Sequence, residues 1–171
     1  PNQETGNYVQ FKVILVETPD TGDVTGILTV TDITEKTIRE KIFMQLSSTK
    51  YDLVANINLF SDTYEIVSGG DDNISEHRGC CSERIQAVIE KTVVQNQQEK
   101  EHVANMLNPD LMIERLKKKN SYSFIYSVYD ANGEVRTKNM IVSAIDMRIG
   151  RVCFIRSDVT DMLAAERKSK E

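Results

Sequence analysis

Apolar residues cluster in short β-branched and aromatic stretches at both ends of this 171-residue chain and recur at helical spacing in its middle. Tyr8 to Thr18, YVQFKVILVET, has the composition of a strand. Pro19 to Asp23 has turn chemistry, so Val24 to Thr31 is predicted to return as the second strand of a hairpin. Asp32 is a good helix N-cap, and Glu35 stands three residues on, where a carboxylate can reach back to the N–H of the cap. The helix is expected to run to about Ser48, with Ile38, Ile42, Phe43 and Leu46 on one side. Tyr51 to Phe60 then alternates, placing Tyr51, Leu53, Ala55, Ile57 and Leu59 on one face of a strand. Ser61-Asp62 turns the chain, Thr63 to Ser68 returns, and Gly69 to Asn73 is a loop.

Helical periodicity dominates from about Ser82 to Asn120. Ile85, Val88 and Ile89 form one stripe, and His102, Val103, Met106 and Leu107 another. Asn108-Pro109 caps a further helix that turns Leu111, Met112 and Leu116 inward. Ser121 to Asp130 alternates as a strand, and Asn132-Gly133 is a strong hairpin signal. Glu134 to Asp146 and Val152 to Ser157 complete three strands in succession. Asp158-Val159-Thr160-Asp161 then repeats the earlier cap, and the last ten residues are strong helix formers.

Hairpin connections make antiparallel sheets, and helices grouped between strands must cover one face of the sheet. The expected class is α+β: a five-stranded antiparallel sheet with helices on one face, preceded by a partial hairpin and a linker helix. The two capping aspartates, Asp32 and Asp158, lie 126 residues apart (158 minus 32). The segment before the first contains only the last two strands of the pattern that precedes the second. The expected division is residues 1–31 as the C-terminal strands of an incomplete first domain, 32–50 as a linker helix, 51–158 as a complete domain, and 159–171 as the start of an output helix.

Two strands, a helical stretch, three strands and then Asp-apolar-Thr opening a helix resemble the PAS domain, a sensory module. DITE at Asp32 to Glu35 and DVTD at Asp158 to Asp161 match the motif that closes its sheet. The resemblance implies that Asp32, Thr34, Asp158 and Thr160 are signal-transfer caps, from which a helix carries a change in the sheet onward. The C-terminal DVTDMLAAERKSKE also resembles the lead into the dimerisation helix of bacterial sensor histidine kinases. The implied function is a regulatory module in a two-component system, acting in a homodimer on an output domain in the same chain. Diguanylate cyclases carry similar leads, and a ligand-free dimerisation scaffold is the reading from a different class. The Asn-Cys-Arg-Phe-Leu pattern of the flavin-binding branch is not found, and neither His77 nor His102 sits in a recognisable haem motif. The cofactor and the signal are therefore not named by the sequence, though a small-molecule ligand fits such a module.

Composition narrows the partners. Hydrophobic residues make up 40% and charged residues 27%, as in globular proteins, and the net charge is −5. The longest basic run, Lys117 to Lys119, closes a predicted helix, where cations suit the helix dipole. An acidic chain without a basic patch does not hold a phosphate backbone, so no nucleic-acid partner is expected. No apolar run reaches the ~20 residues that span a bilayer, and the polar start lacks a signal-peptide pattern. Pro1 is no natural initiator, so the chain is expected to be a segment of a longer protein, cytoplasmic here and free to be membrane-attached elsewhere. Three cysteines, an odd count, fit a reducing compartment better than a disulfide framework.

Candidate chemistry is sparse. His77, Cys80 and Cys81 bring three soft donors within five residues, but a closed zinc site needs four ligands, commonly in two spaced pairs. No metal site is therefore expected, and these three residues are the candidates that a metal or a redox role would use. No nucleophile elbow, Gly-rich phosphate loop or His-Glu-x-x-His occurs, so no catalytic residue is assigned. The Ile38–Leu46 stripe has two readings, packing on its own sheet or pairing with a second chain. The hairpin, marginal by itself, is expected to pack on its own chain or on another copy.

Overall fold

The computed structural model describes residues 6–46, 50–70, 76–91 and 97–170. Two strands, β1 (Val9–Glu17) and β2 (Val24–Asp32), form an isolated hairpin, followed by helix α1 (Thr34–Gln45). Then come β3 (Leu53–Asn58), β4 (Thr63–Gly69), β5 (Arg78–Cys80) and three helices, α2 (Cys81–Lys91), α3 (Gln97–Met106) and α4 (Pro109–Lys118). Strands β6 (Ser121–Tyr129), β7 (Val135–Asp146) and β8 (Arg151–Asp158) lead into α5 (Thr160–Lys168). The class is α+β, as the pattern predicts. The predicted helix end at Ser48 and the loop residues 71–73 lie outside the described residues.

The main sheet is antiparallel in the order β5-β4-β3-β8-β7-β6. Among the described residues it has six strands rather than the expected five. The sixth is short: Arg78, Gly79 and Cys80 pair with Glu65, Tyr64 and Thr63 at the edge. Three residues are too few to carry a readable alternation. The first and last strands of this unit, β3 and β8, sit side by side at its centre, so the chain leaves for α5 from a strand bonded on both edges.

Alternation decides the two faces. Leu53, Ala55 and Ile57 point with Met140, Val142, Val152 and Phe154 into the larger core, which α2, α3 and α4 close with Ile89, Val103, Met112 and Leu116. Asn108 caps α4 by accepting from Leu111 N at 3.1 Å, with Pro109 in the first turn. The opposite face is also covered, a second departure from the expectation of helices on one face. There Ile38 and Ile42 of α1, fully buried, pack on Val54, Ile145, Cys153 and Ile155. The sequence stripe is thus met by the chain's own sheet for Ile38 and Ile42 and in part for Leu46, while Phe43 points outward. The reason is that α1 needs a partner for two isoleucines, and β8 offers apolar side chains on both faces.

The hairpin does not pack on the second sheet. Every residue of β1 and β2 is exposed. Its register places Phe11 opposite Val30, Val13 opposite Leu28 and Leu15 opposite Gly26. These side chains share one face, so that face is almost wholly apolar.

Candidate functional site

The two Asp-apolar-Thr segments adopt the same geometry. Asp32 Oδ1 accepts from Thr34 N at 2.9 Å, and Asp158 Oδ1 accepts from Thr160 N at 3.0 Å. Thr34 Oγ1 accepts from Tyr8 N at 2.9 Å, and Thr160 Oγ1 accepts from Thr137 N at 2.8 Å. Ile33 N donates to Tyr8 O and Val159 N to Thr137 O, both at 2.9 Å. Each helix start is therefore tied by two groups to one residue, Tyr8 just before β1 or Thr137 of β7. The aspartate braces the threonine, and the threonine reaches across.

This corrects the expected capping box. Asp32 and Asp158 are the last residues of their strands, and Ile33 and Val159 stand at the cap positions without a side-chain cap. The strand runs one residue further than the pattern implies, because its ladder continues to the aspartate: Val9 pairs with Asp32 and Lys138 with Asp158. Glu35 is then free to bind Arg151 at 2.5 Å rather than reach back.

A chain of charges joins the second launch point to the core. Arg156 Nε donates to Asp52 Oδ1 at 2.7 Å, and Lys138 Nζ bridges Asp52 and Asp158, the latter at 3.1 Å. Arg136 Nε adds a 2.9 Å bond to Asp158. Burial pushes the Asp158 carboxyl up, but hydrogen bonds from Thr160, Arg136 and Lys138 outweigh it and hold the group well below the usual carboxylate range. Arg156 also lines a cavity of about 60 Å³ between sheet and helices, whose other walls include Leu53, Tyr64, Arg84, Tyr126 and Met140. That volume is enough for a few waters or a very small ligand.

The first launch point is fastened differently. The Tyr8 hydroxyl donates to Asp146 Oδ2 and accepts from Lys41 Nζ at 2.6 Å and Arg148 Nη2 at 3.2 Å. Arg148 also clasps Asp146 through its backbone N–H, Nε and Nη2, and the carboxyl is held far below its ordinary value, chiefly by that guanidinium. Tyr8 thus anchors α1 by its backbone and the end of β7 by its ring.

The remaining sequence candidates do not converge. His77 is exposed near the sheet edge. Cys80 Sγ donates to Asp62 Oδ2 at 3.0 Å, and Cys81 is buried in the larger core, its thiol pushed up to about 12 mainly by burial. Cys153 is buried on the other face and pushed up to about 12 for the same reason. Such thiols stay protonated and unreactive. Among the described residues no three potential metal-ligating side chains gather. His102 meets Phe124 edge-on at 6.3 Å between ring centroids.

Sequence reasoning singled out Asp32, Thr34, Asp158 and Thr160, as caps rather than as brace and tether, and missed Tyr8, Asp52, Lys138 and Arg156. Asp52 is 86 residues from Lys138 and 104 from Arg156, and nothing linear links them. The near-repeat could have pointed to Tyr8 and Thr137, but the hairpin turn is longer in the first copy, so no constant offset aligns them. Among the described residues no helix is long and apolar enough to cross a membrane. No protein-family model matches the chain, and the search of curated proteins finds no match either.

Proposed function

We propose that the chain is a sensory or regulatory module of the PAS type, which passes a change in its sheet through α5 to an output domain, a histidine kinase of a two-component system, within a cytoplasmic homodimer. The observation that carries this reading is the duplicated launch geometry. Two helices begin with the same aspartate brace and the same threonine tether to the neighbouring strand. A tether across strands makes the direction of a helix depend on how two strands sit against each other. At α5 the dependence reaches further, because Asp158 shares Lys138 with Asp52, and Asp52 holds Arg156 on the cavity wall. A rearrangement at Arg156 is therefore felt by the group that fixes the helix start, which is the kind of coupled element that a switch requires.

The test uses the native chain with its output domain. Lys138→Met cuts the charge chain without touching the Thr160 tether, and Thr160→Val cuts the tether. Both are expected to leave the output active but unresponsive to its signal. An output that responds normally in both variants overturns the relay. The coding sequence beyond Glu171 decides the output: a helix bearing His-Glu-x-x-Arg-Pro before an ATP-binding domain supports the kinase, and a Gly-Gly-Asp-Glu-Phe loop moves the proposal to a diguanylate cyclase.

A second reading, the dimerisation scaffold, is favoured by one observation. The apolar face of the hairpin leaves Phe11 68% and Leu15 71% exposed beside one another, the kind of contiguous patch that marks an interaction surface. Sedimentation of the chain across a dilution series tests the dimer that both readings require, and the response of the two variants separates them. A stable dimer whose output ignores both variants supports the scaffold.

A further inference from the structure

On the outer face of the main sheet, between α1 and the exposed parts of β3, β4 and β5, lies an open polar groove of about 480 Å³. It is eight times the volume of the inner cavity, given as about 60 Å³. Three guanidinium groups line it, Arg39 from α1, Arg78 from β5 and Arg151 from β8, against two carboxylates, Glu35 and Glu65. Arg151 pairs with Glu35 and Arg78 with Glu65. Arg39 makes no ion pair among the described residues, so the lining carries one positive charge in excess.

Asn56 supplies the second, independent observation. It lines the same groove, is only 3% exposed, and its side-chain oxygen Oδ1 has no hydrogen-bond partner. A buried acceptor without a donor is costly, and native proteins rarely keep one without a use. The neighbours explain why the chain does not satisfy it. Its cross-strand neighbours are Glu65, which can only accept, and Cys153, and Val54 beside it is apolar. None of the three guanidinium groups bonds to it.

We propose that this groove binds a small anion, carboxylate or phosphate, that carries an adjacent O–H or N–H donor. The anionic end meets the guanidinium groups, whose planar forks match both oxyanions. The donor meets Asn56 Oδ1, which can only accept. Such a ligand would touch the linker helix and the sheet at once and so would set their mutual position. The inference stands on the groove and does not need the relay proposed above.

Isothermal titration and amide-resonance mapping on the folded chain test it with four probes: malate, succinate, glycerol 3-phosphate and glycerol. Malate or glycerol 3-phosphate should bind and shift resonances of α1, Asn56 and β5, the tighter of the two identifying the oxyanion. Succinate, which lacks the hydroxyl, should bind about tenfold or more weakly than malate, because a site built around a hydrogen bond rejects the analogue without it. Glycerol should not bind. Arg39→Met, at an exposed residue without an ion pair, should weaken binding about tenfold, the loss of one charge-assisted contact. Asn56→Leu should fold and lose the preference for malate over succinate; if it does not fold, Arg39→Met decides. No binding by either hydroxylated anion, shifts confined to other parts of the fold, or full affinity in Arg39→Met overturns the proposal. Binding that leaves α5 unchanged upholds the groove and counts against the relay alone.

Discussion

Thr34 and Thr160 each hold a helix to a strand with one hydroxyl, and the aspartate two residues earlier keeps that hydroxyl in place. Thr160→Val keeps the shape and removes the acceptor for Thr137 N. The expected cost is about 1–2 kcal/mol, the worth of a cap or a partly buried hydrogen bond, read as a lower urea midpoint with faster amide exchange at the start of α5. The carboxylates predict the acid behaviour. Asp146 and Asp158 both sit below their unfolded-state value. Their stabilising contribution is therefore complete above the ordinary carboxylate pKa of about 4 and is lost as pH falls through that value toward the depressed one. Asp146→Asn and Asp158→Asn should each flatten the fall in melting temperature between about pH 4 and pH 2; unchanged acid limbs would contradict the assignment. The thiols give a third check. Cys81 and Cys153 should react with a disulfide reagent at pH 8 only after denaturation, since burial raises both to about 12.

At the scale of elements, α1 matters more than its length suggests. It is attached to the outer face of the sheet chiefly through Ile38 and Ile42. Ile42→Ala should cost about 2–5 kcal/mol, as for other fully buried aliphatic residues, and should release α1 in hydrogen exchange before the sheet opens. Equal exchange of helix and sheet would mean that α1 is held by other contacts. The β4 end is constrained by backbone rather than packing. Gly69 has φ +74°, and a Cβ there would lie 2.0 Å from Asp52 O. Gly69→Ala should therefore disturb Asp52 itself, and with it the pairing to Arg156 and Lys138. The elements were largely legible in the sequence. The strands from Tyr51 onward and α4 with its Asn108 cap follow from alternation, spacing and turn residues. The short β5 was not, because it is formed by pairing at an edge and not by pattern.

For the whole molecule, the decisive feature is an apolar surface that no described residue covers. On the hairpin, Phe11, Val13, Leu15, Leu28 and Val30 share one face and are all more than half exposed. The corresponding face of β7 and β8 is the one that α2, α3 and α4 bury, through Met140, Val142 and Phe154. By this correspondence the hairpin has the chemistry of a core without the helices that close one. The chain by itself should associate, and Leu15→Lys with Leu28→Glu should lower the sedimenting mass and raise solubility. An unmodified chain that stays monomeric across a dilution series would refute this.

What the sequence by itself determined is the local grammar: strands, turns, helix starts, the α+β class and the repeated Asp-apolar-Thr launch. These depend on residues within a few positions of one another, and periodicity and capping chemistry report on just such distances. Only the tertiary structure decided that β3 and β8 lie side by side, that α1 covers the outer face, and that the launch aspartates end strands and brace threonines instead of capping helices. It also brought Arg156, Asp52, Lys138 and Asp158 into one chain of charges, and Asn56 into a groove with three arginines. Those arrangements rest on contacts between residues far apart in the chain, set by sheet order and register, which no single stretch of sequence encodes.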